Sequence, residues 1–347
     1  MARRHCTLAH TGFAAGALLA AVLTPAFAQT PLRVAMEGAV TAQMAPFLVA
    51  EDRGFYRAEG LAVSLDAQPG PPDGLTRLAS GAADAGLADI NAMIRFREQN
   101  PGAPLTAVFI VTNKPAYAVI ARRSRGIARP KDLESKRIGA PAGEMASAVW
   151  PAFARLNDID LSRVKIENIA AAVREPMLAA GQIDAITGTA SSSYLNLKQR
   201  GVPLDDLVVL PMADYGLPLY GDAIVVNTAF AAEHPEAVKG FLRAFLKGLR
   251  ETVKNPARAV DSVLKRNDSA NKEIELERLR MAIQSTIVTD EVQAQGLGGV
   301  DAGRLVRSIE LLTQNGKPKA KPEPADIFDA SFLPPPAERK IGTGRSG

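Results

Sequence analysis

The sequence predicts an α/β protein of two similar lobes, each a mostly parallel sheet flanked by helices, with a ligand cleft between the lobes. One observation is the step Leu78-Ala-Ser-Gly-Ala-Ala-Asp-Ala-Gly-Leu-Ala-Asp89. It is echoed 100 positions later by Leu178-Ala-Ala-Gly-Gln-Ile-Asp-Ala-Ile-Thr-Gly-Thr189, with leucine, glycine and aspartate at the same offsets. Each copy reads as the last apolar turn of a helix, then a glycine (Gly81 or Gly181) in the left-handed position past its end, then a short buried strand. The other observation is what precedes each copy. Leu32 to Met36 and Lys136 to Ala140 are short apolar strands that run into small-residue loops. Leu61 to Leu65 and Val164 to Ile169 are second strands leading to the repeated step.

In chain order, residues 1–28 predict an export signal and a periplasmic destination. Arg3 and Arg4 make a positive start, Phe13 to Leu23 an apolar run, and Ala26-Phe-Ala28 a small-residue cleavage site. The first helix begins near Ala45, with Pro46 tolerated in its first turn; Gly54 ends it, and Phe55 and Tyr56 fold back as an apolar plug. The chain is expected to cross between lobes along Ala116 to Arg122 and Leu219 to Val226, two apolar, extended runs. The first lobe then holds 29–117, the second 118–221, and 222–315 returns to the first. Helices from Pro235 to Val253, Ala257 to Lys265, Lys272 to Ile287 and Asp301 to Thr313 pack on that first lobe. Residues 316–347 form a Pro/Lys-rich tail, with Ile327 to Leu333 docking back and the last dozen residues expected to be disordered.

With 347 residues, 47% of them hydrophobic, the chain can bury two cores. Without the export signal, 39 basic residues face 37 acidic ones, which gives no ground for nucleic acid or an anionic membrane as a partner. The single cysteine, Cys6, precedes the apolar run of the signal, so a mature chain has no disulfide, thiolate metal site or cysteine nucleophile. No later run reaches the ~18 apolar residues of a membrane span.

The pattern Ala45-Pro46, then Val49-Ala50, Gly54-Phe55-Tyr56 and Glu59-Gly60-Leu61 before Val63 resembles the start of periplasmic substrate-binding proteins of the nitrate/sulfonate/taurine and thiamine-pyrimidine-precursor group. Three further stretches are similar to that group in the same order. They are the step at Leu78 to Asp89, the entry Gly126 to Gly139, and the return Asp222 to Thr228 with His234 to Phe245. The resemblance spans about residues 32–265. It implies the type II periplasmic binding fold and a role as receptor of an ABC importer. The implied partners are a small-molecule ligand and a permease driven by a cytoplasmic ATPase; the protein itself is expected to be a monomer without cofactor or metal.

In such proteins ligands sit where strands end and helices begin, because unpaired N–H groups face the cleft there. The candidate contacts are Glu37, Gly38 and Gln43 after the first strand, Asp89 and Asn91, and Asn113. In the second lobe they are Gly143, Glu144, Met145 and Thr189, with Tyr220 as a stacking platform at the second crossing. Residues 68–74 and Asp222 stand on the same rim. Two of the acids have other readings. Asp89 would equally serve as an N-cap, and Glu144 would complement the positive start of its helix. Trp150 reads as core, and Tyr194 and Tyr215 as either core or cleft. With Glu37, Asp89 and Glu144 on the rim and Lys114 the nearest base, the expected ligand offers hydrogen-bond donors or a positive charge. A bare sulfonate or nitrate fits less well.

The rival readings are an exported sensor read by a receptor kinase and an enzyme on the same scaffold. A eukaryotic pyrimidine-precursor synthase in this group is associated with a histidine-dependent site and a cysteine-rich motif. Here a mature chain keeps one histidine, His234, and no cysteine, and it has neither a His-x-x-x-His nor a Gly-x-Ser-x-Gly pattern. Binding is the expected activity.

Overall fold

A computed structural model describes residue 1 and residues 29–68, 73–313 and 321–341; the side chains of Glu37 and Gln68 are outside this description. The expected export signal lies outside the described residues. Ten strands form two five-stranded sheets: β1 Thr30–Glu37, β2 Leu61–Gln68, β3 Ala85–Asp89, β4 Leu105–Ile110, β5 Tyr117–Arg122, β6 Arg137–Ala140, β7 Lys165–Asn168, β8 Ala185–Thr189, β9 Leu207–Pro211 and β10 Asp222–Asn227. The first sheet has the order β2-β1-β3-β10-β4 and the second β7-β6-β8-β5-β9. The plans are the same. In each, one strand lies antiparallel in the fourth place, β10 between β3 and β4 and β5 between β8 and β9.

The two runs expected to carry the crossings are these two antiparallel strands. Each is flanked by strands on both edges and almost wholly buried, and a continuous apolar run suits such a central strand. The chain passes between the sheets just before them, along 111–116 and 212–221.

The repeated step has the same geometry in both copies. Gly81 and Gly181 have φ of 75° and 70°, and their N–H groups donate to the carbonyls of Leu78 and Leu178. The aspartate three residues on locks the following strand to its neighbour. Asp84 N–H donates to the Arg33 carbonyl (2.9 Å) while its carboxylate accepts from Arg33 N–H (2.8 Å). Asp184 makes the same exchange with Arg137, at 2.9 Å in both directions.

The first lobe's core is built on helix–helix contact. Helix Pro235–Lys254 packs across helix Ala45–Asp52, with Phe47 4.4 Å from Phe245 between ring centroids and Tyr56 stacked on Phe241 at 5.4 Å. Gly248 allows this approach, since a Cβ there would stand 2.2 Å from the Pro46 carbonyl oxygen. Tyr56 is thus the apolar plug that the sequence predicts. Helix Lys272–Ala282 ends in a π-helical turn, Ile283–Ile287. Among the described residues no helix is long and apolar enough to cross a membrane.

The end of the chain departs from expectation. Phe328 bridges to Ala107 beside β4, as a docking segment would. Residues beyond it, expected to be disordered, include the helix Pro336–Arg339. Leu297 N–H donates to the Arg339 carbonyl at 2.8 Å, and Arg339 Nη1 donates to the Leu297 carbonyl at 2.7 Å. Those two bonds, one from the backbone and one from the Arg339 side chain, hold residues whose composition alone reads as solvated.

Gly181 supplies a test. Its φ is unfavourable to any L side chain, and a Cβ would also lie 1.8 Å from Arg125 Nη2, which donates to the Gly181 carbonyl. Gly181→Val is expected to cost about 1–2 kcal/mol more than Gln182→Ala from backbone strain alone. Equal denaturation midpoints for the two variants would remove the left-handed cap from the account of the repeat.

Candidate ligand cleft

Strand register sets the cleft. In the first sheet Glu37 pairs with Gln68, Asp89 with Asp222, and Ile110 with Ala223, so these ends share one edge. In the second, Ala140 pairs with Asn168, Tyr117 with Thr189, and Ala118 with Pro211. A narrow pocket of about 50 Å³ lies between the two edges. It is lined by Ala42, Gln43, Leu87 and Asp222 of the first lobe, Ala190 and Ser191 of the second, and the segment from Met281 to Ile287. A more open concavity of about 400 Å³ lies along Pro141, Ala142, Glu144 and Asn168–Ala171 on the second lobe.

The expected contacts fall into three sets. Gly38, Gln43, Gly143 and Thr189 keep accessible surface on this rim, and Thr189 starts its helix without using its side chain as a cap. Glu37 ends β1 beside them, but its side chain lies outside the described residues. Met145 is half-buried and packs against the hydrophobic core.

Asn91, Asn113 and Tyr220 are buried among contacts of the protein's own. Asn91 is fully buried; its amide donates to Asp89 Oδ1 (2.9 Å), the Tyr117 hydroxyl (3.1 Å) and the Tyr220 carbonyl (2.6 Å), so it braces the cleft floor from behind. Asn113 is 4% exposed and turned away from the cleft. It donates to Glu291 (3.2 Å) and accepts from Thr289 (2.8 Å). The Tyr220 ring is fully buried beneath the Arg304 guanidinium, 3.8 Å from the ring centroid, so that face is not open to a ligand. Burial pushes the Tyr220 phenol up to about 12. All three lie on or beside the chain passages between lobes, where polar groups must be satisfied internally.

Of the two acids left open by sequence, Asp89 is a cap. Its Oδ1 accepts from Asn91 N–H (2.8 Å) at the start of helix Ile90–Gln99, and its Oδ2 accepts a short bond from the Tyr117 hydroxyl. Asp89 keeps some accessible surface, yet its close packing raises the carboxyl pKa through desolvation, against the lowering effect of those hydrogen bonds. Glu144 makes no side-chain cap. It pairs with Arg174 Nη1 at 2.5 Å.

Arg174 is the cleft base that sequence reasoning missed in favour of Lys114. It also binds Glu175 (2.8 Å), which accepts from Ser193 (2.8 Å), and its guanidinium lies against Gly188, where a Cβ would come within 3.2 Å. Lys114 instead pairs with Asp214 at 2.7 Å, joining the two chain passages. The one hint in sequence is Arg174-Glu175-Pro176 at the head of the second repeat's helix, where the first repeat has Gly74-Leu75-Thr76. Trp150 is buried core, 5.8 Å from Phe153 between ring centroids.

Glu275 was also missed. It is buried on helix Lys272–Ala282, and its carboxylate accepts from Ala42 N–H at 2.7 Å, where the first helix of the lobe begins. Arg278 Nε donates to the same carboxylate (3.3 Å) and Arg278 Nη1 to Ser192 of the second lobe (3.0 Å). Among the described residues no cluster of three or more His, Cys, Asp and Glu could hold a metal ion.

Asp89 gives a pH prediction. A carboxyl whose folded pKa is raised binds its proton more tightly folded than unfolded, so stability falls as pH rises from the unfolded pKa through the folded one. Asp89→Asn keeps a capping acceptor and removes this titration. The thermal midpoint of wild type relative to Asp89→Asn should therefore decline with rising pH across that window. A constant difference would show that Asp89 is not held protonated by its surroundings.

The comparisons with known proteins follow this geometry. Residues 41–259 match the family model described as NMT1/THI5 like. The chain is 27% identical over 305 residues to the riboflavin-binding protein RibY of Chloroflexus aurantiacus, covering 84% of this chain and 83% of that protein. It is 27% identical to the formylaminopyrimidine-binding protein of Halalkalibacterium halodurans, covering 68% and 72%. It is also 28% identical to a 4-amino-5-hydroxymethyl-2-methylpyrimidine phosphate synthase of Schizosaccharomyces pombe, covering 61% and 62%. In structure it resembles the periplasmic aliphatic sulphonate binding protein SsuA of Escherichia coli, with TM-score 0.69, 15% identity and coverage of 88% and 94%, a likeness of fold. With the family model matched over more than half its length and the two-sheet plan of its neighbours, the chain belongs to the NMT1/THI5-like family and has the periplasmic binding protein fold.

Proposed function

We propose that this protein is an extracytoplasmic receptor that captures a small nitrogen heterocycle between its lobes and delivers it to an ABC importer, a membrane permease with a cytoplasmic ATPase. The observation that carries this reading is the cleft pocket, which takes its wall from both lobes at once. A ligand there bridges the lobes, and only a ligand that favours the closed arrangement can signal its own capture. The pocket's ~50 Å³ is far below the ~300–1,000 Å³ of typical small-molecule sites, so the lobes must part to admit a ligand and close again around it. Relatives named for riboflavin and formylaminopyrimidine support a heterocycle as the cargo. Residues 1–28 would direct the protein to the periplasm, where it would act as a monomer.

Glu275 supports the same ligand class. Ala42 N–H is the donor that an anionic head group would use in the first lobe, and this chain's own carboxylate already occupies it. A sulfonate brought within ~4 Å of Glu275 would meet a repulsion of at most about 4 kcal/mol at an effective dielectric near 20, reduced by Arg278, which donates to the same carboxylate. The Glu144 contribution expected from sequence is reduced, because Arg174 neutralises that acid.

A thermal-shift screen of flavins, aminopyrimidines, alkanesulfonates and nitrate tests this reading, with native mass spectrometry to weigh any molecule that co-purifies. A heterocycle at ~100 times its Kd should add about 2.7 kcal/mol, a rise of about 5 °C for a chain of this size, and reduce the radius of gyration. Alkanesulfonates and nitrate should do nothing to wild type, and should begin to stabilise Glu275→Gln. Stabilisation of wild type by sulfonates and by no heterocycle would sink the ligand class; binding without compaction would sink the closure mechanism.

A further inference from the structure

Away from the cleft, one side chain touches both passages of the chain between the lobes. Arg304, on helix Ala302–Thr313, donates from Nη2 to the carbonyl of Asn113 (2.7 Å) in the first passage and to that of Leu219 (2.6 Å) in the second. Its Nη1 donates to Glu291 (2.7 Å) and Asn113 Oδ1 (3.3 Å), and its Nε reaches the Pro218 carbonyl at 3.4 Å. Tyr220, under the guanidinium, donates to Glu291 (3.1 Å) and accepts from Asp301 N–H (2.7 Å). The side chain is 13% exposed.

We propose that Arg304 clasps the two passages into one mechanical unit and favours the touching arrangement of the lobes over open ones, so that it sets how far and how readily the ligand-free cleft opens. Hinge closure is absorbed by backbone rotation in the few residues linking the moving bodies. Two carbonyls that share one charged nitrogen cannot turn independently without losing a charge-assisted bond. Only a planar fork meets this demand, since it fixes Nη2 between the carbonyls while Nη1 is held by Glu291; an ammonium is a point charge without that geometry. The lobes already meet on one flank, where Lys198 pairs with Glu277 at 2.6 Å and Arg278 donates to Ser192 at 3.0 Å. Opening must therefore work against the flank and the clasp together. Arg304 also lies beyond residues 41–259, the stretch that carries the family match.

The inference rests on the two-lobed closing mechanism but not on any ligand, so its test is run without one. Spin labels at Arg53→Cys in the first lobe and Arg200→Cys in the second, in a Cys6→Ser background, report the interlobe distance by pulsed dipolar spectroscopy. Arg304→Lys, which keeps the charge and loses the fork, should lengthen the mean distance by a few ångströms and broaden its distribution. Glu291→Gln, which leaves the arginine in place but loosens its orientation, should shift it in the same direction by less. Ser308→Ala removes a bond to the Pro218 carbonyl in one passage only and should match wild type. Far-UV circular dichroism and the thermal midpoint separate this effect from unfolding, and Glu291→Gln decides the matter if Arg304→Lys does not fold. Distributions for folded Arg304→Lys and Glu291→Gln that superimpose on wild type, or that move to shorter distances, overturn the proposal.

Discussion

The two passages between the lobes are bonded to each other at the edge of the first sheet, where the ladder of β4 and β10 continues into them, and the rest of the molecule is arranged around that pairing. The Asp222 carbonyl accepts from both Val111 N–H (2.8 Å) and Thr112 N–H (3.1 Å), Gly221 N–H donates to the Thr112 carbonyl (3.0 Å), and Asp222 N–H donates to the Thr112 hydroxyl (2.6 Å). Each passage leads directly into the antiparallel fourth strand of a sheet, so the pairing fixes where β5 and β10 begin. Those beginnings are the cleft floor. The first helical amides after β3 and β8 are tied to the same passages, Ile90 N–H to the Gly221 carbonyl (3.1 Å) and Ala190 N–H to the Ala116 carbonyl (2.8 Å). Each lobe's helix start is thus anchored to the passage that brings the chain into that same lobe from the other, and a rotation between lobes is felt at both.

The same economy governs charge. Three acids described on the cleft side have partners of their own: Asp89 has Tyr117 and Asn91, Glu144 has Arg174, and Glu275 has Ala42 N–H and Arg278. A half-buried carboxylate without a partner would be costly, and in a cleft that must stay stable while empty no ligand is present to supply one. A cleft satisfied in this way offers a ligand shape and hydrogen-bonding groups at its edges, such as Gln43 and Thr189, and little uncompensated charge. That supports the cargo class proposed above. It also separates recognition from the network behind the floor, where Asn91 and Asn113 serve the hinge.

How much of this was legible in the sequence depended on the range of each interaction. The repeated step was readable because a helix end, a left-handed glycine and a short strand are local, and its two copies share the two-strand lock of Asp84 and Asp184. The sheet plan followed from it. The expected crossing runs extend past the passages into β5 and β10, because a buried, extended apolar run looks the same whether it links two sheets or lies inside one. Asp89 and Glu144 each stand before a helix and have the same capping reading, and it is the distant Arg174, 30 residues from Glu144, that takes Glu144 out of that role. Glu275 lies 233 residues from Ala42, and Arg304 191 from Asn113. Contacts of that separation leave no trace in spacing or periodicity. Tyr220 lies at the crossing as expected, but nothing in its neighbourhood announces the guanidinium that covers its ring from helix Ala302–Thr313.

Family membership leaves both binders and synthases as relatives, and a shared fold does not choose between them. The positions of the ionisable groups support the receptor reading proposed above. The imidazole of His234 is 4.9 Å from the Phe230 ring, just before helix Pro235–Lys254. β10 starts at the cleft with Asp222 and runs away from it to Asn227, which pairs with Leu105 at the opposite edge of the sheet. His234 follows that far end, so it stands on the wrong side of the lobe to meet a ligand held at the strand starts. The cleft acids are no better placed for proton transfer. Asp89 accepts its hydrogen bonds from Asn91 and Tyr117, and Glu144 is held by Arg174. General acid–base catalysis needs a group that can exchange a proton with the substrate itself. Held in these bonds, the same carboxylates give the cleft a fixed shape, and a fixed shape that two lobes can close upon is what a receptor requires.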